Sequence, residues 1–271
     1  MSEISVVICV KNAENTLKKA MDSLIKNNYK EIVIIDGNST DKTLKIARKY
    51  TDKVFSDDGK GLGYARQLGA EKSIGKYVAY IDSDTELPDE NTLTKMLDEL
   101  KKKDWVAIHA QMIDPRDKKS YWEEGENFHW INTFNKPGEK DHLGTIVCIF
   151  SRDILLKYKF DLSFSGAAED ADLYARLLSD GHKFGVSEVF AYHYHRASYA
   201  DFKKQRIWYG KGNAKAIIKH NAIHLTLVPF AIAIYGTILS LYRMKPNLIP
   251  FYFIWMIFLF YGTILGIKEI F

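Results

Sequence analysis

Two carboxylates with one residue between them, Asp82 and Asp84, follow the run Lys76-Tyr77-Val78-Ala79-Tyr80-Ile81. Such an apolar, aromatic run suits a strand buried on both faces of a parallel sheet. A buried strand cannot hold two unpaired carboxylates, because each anion is costly to desolvate. The pair is therefore expected where the strand leaves the sheet, at its carboxyl end, which is where open α/β sheets bind ligands. Two hard oxygen donors there suit Mg²⁺ or Mn²⁺, with phosphate oxygens completing the shell. Taken alone, Ser83-Asp84 could equally be a turn before Pro88, so the surrounding elements have to decide.

Those elements alternate. Ile4 to Val10 is an apolar strand, and Leu17, Ala20, Met21, Leu24 and Ile25 recur at helical spacing after a loop in which Asn15 can cap. Ile32 to Ile35 is a second strand ending at Asp36, Val54-Phe55 a third, and Gly59 to Gly63 a glycine-rich loop opening a helix. The strand ending at Asp82 follows, and this β-α-β-α-β-α-β order predicts a parallel sheet with right-handed crossovers. Further on, a helix carries Leu93, Met96, Leu97 and Leu100, and strands are expected at Trp105 to Met112, Thr145 to Phe150 and Phe184 to Tyr192. Glu169 to Leu178 reads as a helix, and the polar, aromatic stretch Ile113 to Leu143 as a long irregular loop of the functional or mobile kind. The glycines at 59, 61 and 63 make a poor dinucleotide fingerprint. They follow the third strand, not the first, and no acidic ribose reader stands at the expected distance.

The chain has 271 residues, net charge +4 and 46% hydrophobic residues, room for one α/β domain plus an appendage. The charge is too mild to argue for nucleic acid. Cys9 and Cys148 both fall in strand-like runs, which predicts buried free thiols in a reducing compartment. The N-terminus enters a strand pattern at once, so no signal peptide is expected. After Ala222 the composition changes. Neither Ala222 to Tyr242 nor Leu248 to Ile267 contains Asp, Glu, Lys or Arg. Each is long enough for a ~30 Å hydrocarbon core at ~1.5 Å per residue. Arg243 to Asn247 is the polar turn between them. Two such runs back to back favour a membrane over a buried core hairpin, and Pro229 and Pro250 leave room for a partly embedded, interfacial hairpin instead of two full spans. The basic, amphipathic segment Ala200 to Lys219 would hold the near side at the cytoplasmic face.

In this order, Asp36, the glycine-rich loop and Asp82-Ser83-Asp84 resemble glycosyltransferase family 2, over roughly Ile4 to Gly212. Ile35-Asp36-Gly37-Asn38-Ser39-Thr40-Asp41 looks like the family's acidic turn, with Gly37 where a second acid is usual. Gly61-Leu62-Gly63-Tyr64-Ala65-Arg66-Gln67-Leu68-Gly69 looks like its Gly-x-x-x-Ala-Arg-Asn-x-Gly helix, with Gln67 for the Asn. Glu169-Asp170-Ala171-Asp172-Leu173 resembles its Glu-Asp-x-Asp-Leu helix start. Gln205-Arg206-Ile207-Trp208-Tyr209-Gly210-Lys211-Gly212 is similar to a segment of membrane-associated polysaccharide glycosyltransferases, with Trp208 where an arginine is usual.

The resemblance implies a GT-A fold, a mostly parallel Rossmann-like sheet flanked by helices, over residues 1–198. An interfacial helix would follow at 199–221 and a hydrophobic hairpin at 222–271. It implies a UDP- or GDP-sugar donor held by Val10, Asn12, Asp36, Asn38, Arg66, Asp82 and Ser83, with the metal on Asp84, Asp82 and His195. Of the late pair His193 and His195, at most one is expected at the site, and His195 is the choice. Asp170 would be the base that deprotonates an acceptor hydroxyl, with Glu169 the second candidate. Gln205 and Trp208 would face the acceptor, where an indole can stack on a sugar. The expected activity is inverting, metal-dependent sugar transfer to a lipid-linked or polysaccharide hydroxyl at the cytoplasmic side of the cell membrane. A polyprenyl-phosphate sugar synthase and a non-catalytic nucleotide-sugar binder are the alternatives. A phosphate acceptor, already anionic, needs no base, and the Glu169-Asp170 pair favours a hydroxyl.

Overall fold

The computed structural model describes residues 2–164 and 167–271. They divide into two compact units. The first takes in residues 2–115, 131–164 and 169–194, and the second residues 116–130 and 195–271 with Ala167 and Ala168.

In the first unit β1 (Ile4–Val10), α1 (Leu17–Leu24), β2 (Glu31–Asp36), α2 (Thr43–Ala47), β3 (Val54–Ser56), α3 (Leu62–Lys72) and β4 (Tyr77–Ile81) follow the alternation read from the sequence. A two-residue strand, β5 (Thr85–Glu86), precedes α4 (Thr92–Lys103) and β6 (Ala107–Ile113). After α5 (Tyr121–Thr133), most of which belongs to the second unit, come β7 (Gly138–Glu139), β8 (Val147–Ser151), α6 (Arg152–Tyr158), α7 (Glu169–Ser179) and β9 (Phe184–His193). The strand order is β3-β2-β1-β4-β8-β6-β9-β5, with β7 paired on β9. β3, β2, β1 and β4 are mutually parallel, while β8 runs antiparallel to both β4 and β6. The insertion of β8 lays Val147 beside Ile81, so the loop before it arrives at the carboxyl end of β4.

β1, β2 and β4 are buried along nearly their whole length, as continuous apolar strands between two helical layers must be. Val7, Val33, Val78, Tyr80, Phe150, Tyr174 and Phe184 share one core cluster. Tyr80 is fully inside, its hydroxyl donating to the Arg66 carbonyl at 2.8 Å. Gly69 is required by this packing, since a Cβ there would lie 2.3 Å from Val7 Cγ1. Both cysteines are free, Cys148 buried and Cys9 partly so.

Two local expectations change. α1 begins at Leu17 with Thr16 at its N-cap position and no side-chain cap, so Asn15 does not cap it. The stretch Ile113 to Leu143 is not an irregular loop, because it contains α5. The helix escaped the apolar pattern because its buried stripe includes Glu123, Glu126 and His129, three or six residues apart. Glu123 pairs with Arg116 and Glu126 with Arg206, which is how those carboxylates come to be buried.

The second unit is helical. α8 (Tyr199–Lys219), capped by the Ser198 hydroxyl accepting from the Asp201 amide at 3.0 Å, is followed by α9 (Val228–Tyr242) and α10 (Ile249–Ile270). Phe202, Phe251, Tyr252, Trp255 and Leu259 form its core. The segments containing the last two helices, Ile223–Tyr242 and Pro246–Ile270, are long and apolar enough to cross a membrane.

Candidate active site

Four strands of the first unit end at one edge, and each delivers a carboxylate or a polar loop there. β4 ends at Ile81, and Asp82 follows with its amide donating to the Ile146 carbonyl at 2.8 Å. A tight turn then brings Asp84 round, with Thr85 Oγ1 donating to the Asp82 carbonyl at 2.7 Å. β5 pairs with β9 so that Thr85 lies opposite His193. His193 Nε2 is thereby 3.8 Å from Asp84 Oδ1.

Behind Asp82 stands Arg66, carried by α3 and 5% exposed. Its guanidinium pairs with Glu169 at the start of α7, donates to the Thr145 carbonyl at 2.8 Å, and lies 4.0 Å from Asp82 Oδ1. Glu169 is 1% exposed, and its second oxygen has no hydrogen-bond partner. Burial pushes the Glu169 carboxyl up, and the negative charge of Asp170 adds to it. Together they outweigh Arg66 and bring the group to about 7. Asp82 is raised to about 8 in the same way. Desolvation is its largest cause, Arg66 opposes it, and the charges of Asp84, Asp170 and Glu169 add to it. A cluster of four carboxylates around one guanidinium has an excess of negative charge that a cation would relieve. Asp170 differs from Glu169 in being half-buried, with Oδ1 accepting from the Ala171 amide at 2.8 Å.

On the far side of β1 a cleft of about 150 Å³ is lined by Cys9, Val10, Lys11, Ile35, Gly37, Asp57, Gly59, Gly61, Leu62 and Ala65. Gly59 and Gly61 have φ of +74° and +96°, a region that disfavours side chains, so glycine lets this loop turn above the cleft. Asp57, 4% exposed, steadies it by accepting from the Gly59 amide at 2.7 Å. Asp36 at the end of β2 accepts from the Ser39 amide at 3.0 Å through Oδ2, while its Oδ1 is buried without a partner. Asn12 ties the loops after β1 and β2 together. Its Oδ1 accepts from the Thr40 amide at 2.9 Å, and its own amide donates to Ser39 Oγ at 2.9 Å. Asn38 Oδ1 accepts from Ser56 Oγ at 3.3 Å.

The residues singled out in the sequence thus fall in three places. Val10, Asn12, Asp36 and Asn38 surround or support the cleft, and Arg66, Asp82, Ser83, Asp84, Glu169 and Asp170 gather at the end of β4. His195, Gln205 and Trp208 belong to the second unit. Of the two late histidines, His195, the choice from the sequence, lies in the second unit, and His193 has its ring 3.8 Å from Asp84 Oδ1. β9 extends to residue 193, so pairing with β5 carries that ring to the turn after β4. His195 is 6% exposed, and its carbonyl accepts from Arg116 at 3.0 Å. Gln205 Nε2 donates to the Tyr209 hydroxyl at 3.3 Å, and Trp208 is 38% exposed. Asp57 went unremarked in the sequence. It follows β3 as Asp36 ends β2 and Asp82 follows β4, and that recurrence was the available signal.

Among the described residues, no three His, Cys, Asp or Glu side chains are close enough to bind a metal unaided. The residues present nevertheless fit a divalent ion that shares its shell with a ligand. Asp84 supplies a hard oxygen, His193 a ring nitrogen beside it, and the surplus negative charge favours a cation.

The glycosyl transferase family 2 profile matches residues 5–159, more than half of the chain. Curated relatives include a cholesterol galactosyltransferase from Borreliella burgdorferi, 36% identical over 104 residues, which are 35% of this chain and 28% of that protein. The minor teichoic acid biosynthesis protein GgaB of Bacillus subtilis is 26% identical over 208 residues, 71% of this chain and 23% of that one. The chain spans only between 13% and 47% of the length of curated relatives of this kind. Among solved structures, the mannosyltransferase PcManGT from Pyrobaculum calidifontis, in complex with GDP-Man and Mn²⁺, has a TM-score of 0.67 at 15% identity. That match covers 98% of this chain and 87% of the other. Glucosyl-3-phosphoglycerate synthase from Mycobacterium tuberculosis, in complex with Mn²⁺, UDP and phosphoglyceric acid, gives 0.59 at 19% identity, over 79% and 77% of the two chains. The profile lies over the strands that carry the cleft and the Asp82–Asp84 turn, and the chain belongs to glycosyl transferase family 2, with the GT-A fold.

Proposed function

We propose that the protein transfers a sugar, with inversion, from a nucleoside-diphosphate sugar to a hydroxyl of a lipid-linked or polysaccharide acceptor. The work would be done at the cytoplasmic face of a membrane with Mg²⁺ or Mn²⁺. The observation that carries this reading is the juxtaposition of Asp82, Asp84 and His193 at the carboxyl end of β4, with the buried Arg66–Glu169 pair behind them. In support, the fold relatives were solved with GDP-Man or UDP and Mn²⁺.

The nucleoside would occupy the cleft beneath the Gly59 to Gly61 loop, where the bare Oδ1 of Asp36 is an acceptor for an N–H or O–H of the ligand. Asp84 and His193 would hold the metal together with the donor's phosphates, and Asp82 would face the ribose or the diphosphate. The ion, when bound, neutralises charge on the departing diphosphate. Arg66 would fix Glu169 in place through one of its five N–H donors and brace the Thr145 carbonyl with another, leaving donors for Asp82 and the diphosphate.

Of the two candidate bases, Asp170 suits the role better. Glu169 is enclosed and bound to a guanidinium, while Asp170 is half-exposed and accepts one backbone bond. A carboxylate within reach of the acceptor hydroxyl takes its proton as the hydroxyl attacks, on the face opposite the leaving diphosphate. The apolar helices α9 and α10 would hold the enzyme beside a lipid-borne acceptor, raising its effective concentration.

The test is a thermal-shift panel of UDP-, GDP- and dTDP-sugars, with and without Mn²⁺, followed by transfer of labelled sugar into membrane lipid. A ligand at a hundred times its Kd adds about 2.7 kcal/mol of stability, well within detection. Stabilisation by one donor class in a Mn²⁺-dependent manner is expected. No response to any donor would refute the proposal, and binding without turnover would favour a non-catalytic binder.

A further inference from the structure

The second unit contains a contradiction for any spanning hairpin. α8 and α10 run parallel and in contact along most of their length. Phe202 packs on Phe251 at 5.1 Å between ring centroids. A Cβ on Gly210 would lie 2.3 Å from the Leu259 carbonyl oxygen, and one on Gly262 2.3 Å from that of Ile207. A Cβ on Gly266 would meet Ala214 Cβ at 2.7 Å, and Lys211 pairs with Glu269. Small residues let the two backbones approach this closely. α9 runs the other way, with Gly236 against the Tyr252 ring and Phe230 5.2 Å from Phe260.

α10, with 22 residues, is ~33 Å long and could cross a ~30 Å core. It could not cross alone, because α8 would have to cross with it. α8 carries Lys203, Lys204, Arg206, Lys211, Lys215 and Lys219 against a single acid, Asp201. The middle of α10 at Leu259 faces Gly210, so Arg206, about a turn away, would sit near the centre of the bilayer with its ion-pair partner Glu126 of α5, while Lys211 lies against Gly266 and pairs with Glu269 nearer one end. A charged pair there is costly to desolvate, and the polar α5 would have to enter the hydrocarbon core with it.

The α9–α10 turn adds a second obstacle. Lys245 Nζ is 3.0 Å from Glu124 Oε1, and the Tyr121 hydroxyl donates to the Asn247 carbonyl at 3.1 Å. The turn is thus tied to the charged start of α5, which would have to accompany it to the far face.

Outward, α9 exposes Phe230, Ile234 and Ile238 on one stripe, and α10 exposes Phe253, Ile257 and Tyr261 on another. We infer that α8, α9 and α10 lie in the plane of a membrane and dip into a single leaflet. The outer apolar stripes of α9 and α10 would be among the acyl chains and the lysines of α8 at anionic headgroups, with no segment crossing. A basic helix packed on two apolar ones matches such a surface in both charge and polarity. This deepens the membrane reading given above and rests on it.

The test uses the full chain bound to preformed phosphatidylethanolamine–phosphatidylglycerol vesicles and a membrane-impermeant maleimide. Arg243→Cys reports the α9–α10 turn, Phe271→Cys the opposite end of the bundle, and Lys102→Cys on α4 the side of the first unit. All three are exposed positions. The wild-type chain is the blank. Labelling of all three from outside, within about twofold of one another and unchanged by vesicle lysis, is expected. Protection of Arg243→Cys until lysis would mean a two-span hairpin, and protection of Phe271→Cys a three-helix span. Either overturns the inference while leaving membrane association intact. Protein that stays in the supernatant with these vesicles would instead remove the membrane reading itself.

Discussion

Replacing Asp170 by asparagine separates catalysis from stability at this site. Asp170 is half-buried, and its bond from the Ala171 amide, at 2.8 Å, can be accepted as well by an amide oxygen. Its charge is among those that raise both Asp82 and Glu169, so removing it relieves repulsion. Stability at neutral pH should therefore change by less than about 1 kcal/mol, with any change upward. An asparagine cannot take a proton, so transfer should fall by ~10²–10⁴, or ~2.7–5.5 kcal/mol of barrier.

Glu169→Ala should behave in the opposite way. Glu169 and Arg66 have side chains only 2% and 6% exposed, and removing the acid strands a buried guanidinium. Breaking a buried pair from one side costs about 3–5 kcal/mol, so this variant should lose cooperative unfolding stability as well as activity. Urea titrations give the first quantity, and initial transfer rates at saturating donor give the second, with donor affinity as the control. Transfer by Asp170→Asn within tenfold of wild type, at equal donor occupancy, would refute the base assignment and point to an acceptor that needs none, such as a phosphate.

Two further outcomes bear on the metal. Asp84→Asn and His193→Ala should each abolish the Mn²⁺-dependent part of donor binding while leaving the fold intact, read by thermal shift. Unchanged Mn²⁺ dependence in both would remove them as ligands. Without metal, the raised Asp82 carboxyl also makes stability depend on pH. The folded state holds its proton to about 8 and the unfolded chain only to 3.8, so the folded state binds more protons in between. Stability is then greatest below pH 4 for this group and declines as pH rises towards 8. Differential scanning across pH 5 to 8 should show that decline, and saturating Mn²⁺ with nucleotide should flatten it. A metal-free protein whose stability, corrected with Asp82→Asn, rises through that window would contradict the electrostatics described here.

The first half of the chain was readable because its information is local. β1, β2 and β4 are continuous apolar runs, and a carboxylate cannot stay inside such a strand, so Asp36 and Asp82 had to mark the edge where ligands bind. Two uncharged stretches after Ala222 likewise announced apolar helices. What remained hidden depends on partners far away in sequence. α5 buries Glu123, Glu126 and His129, and no periodicity rule marks a carboxylate as inward-facing until Arg206, eighty residues on, arrives to pair with it. The sequence offered both His193 and His195, and it is the pairing of β9 with β5 that sets the His193 ring 3.8 Å from Asp84. Glu169 and Asp170 are neighbours with the same charge, yet Arg66 from α3 claims one and leaves the other. Hydropathy measured each apolar helix alone and found it long enough to span. That α10 lies backbone to backbone with a lysine-rich helix is a property of the tertiary structure, since no single helix carries the charge of its neighbour.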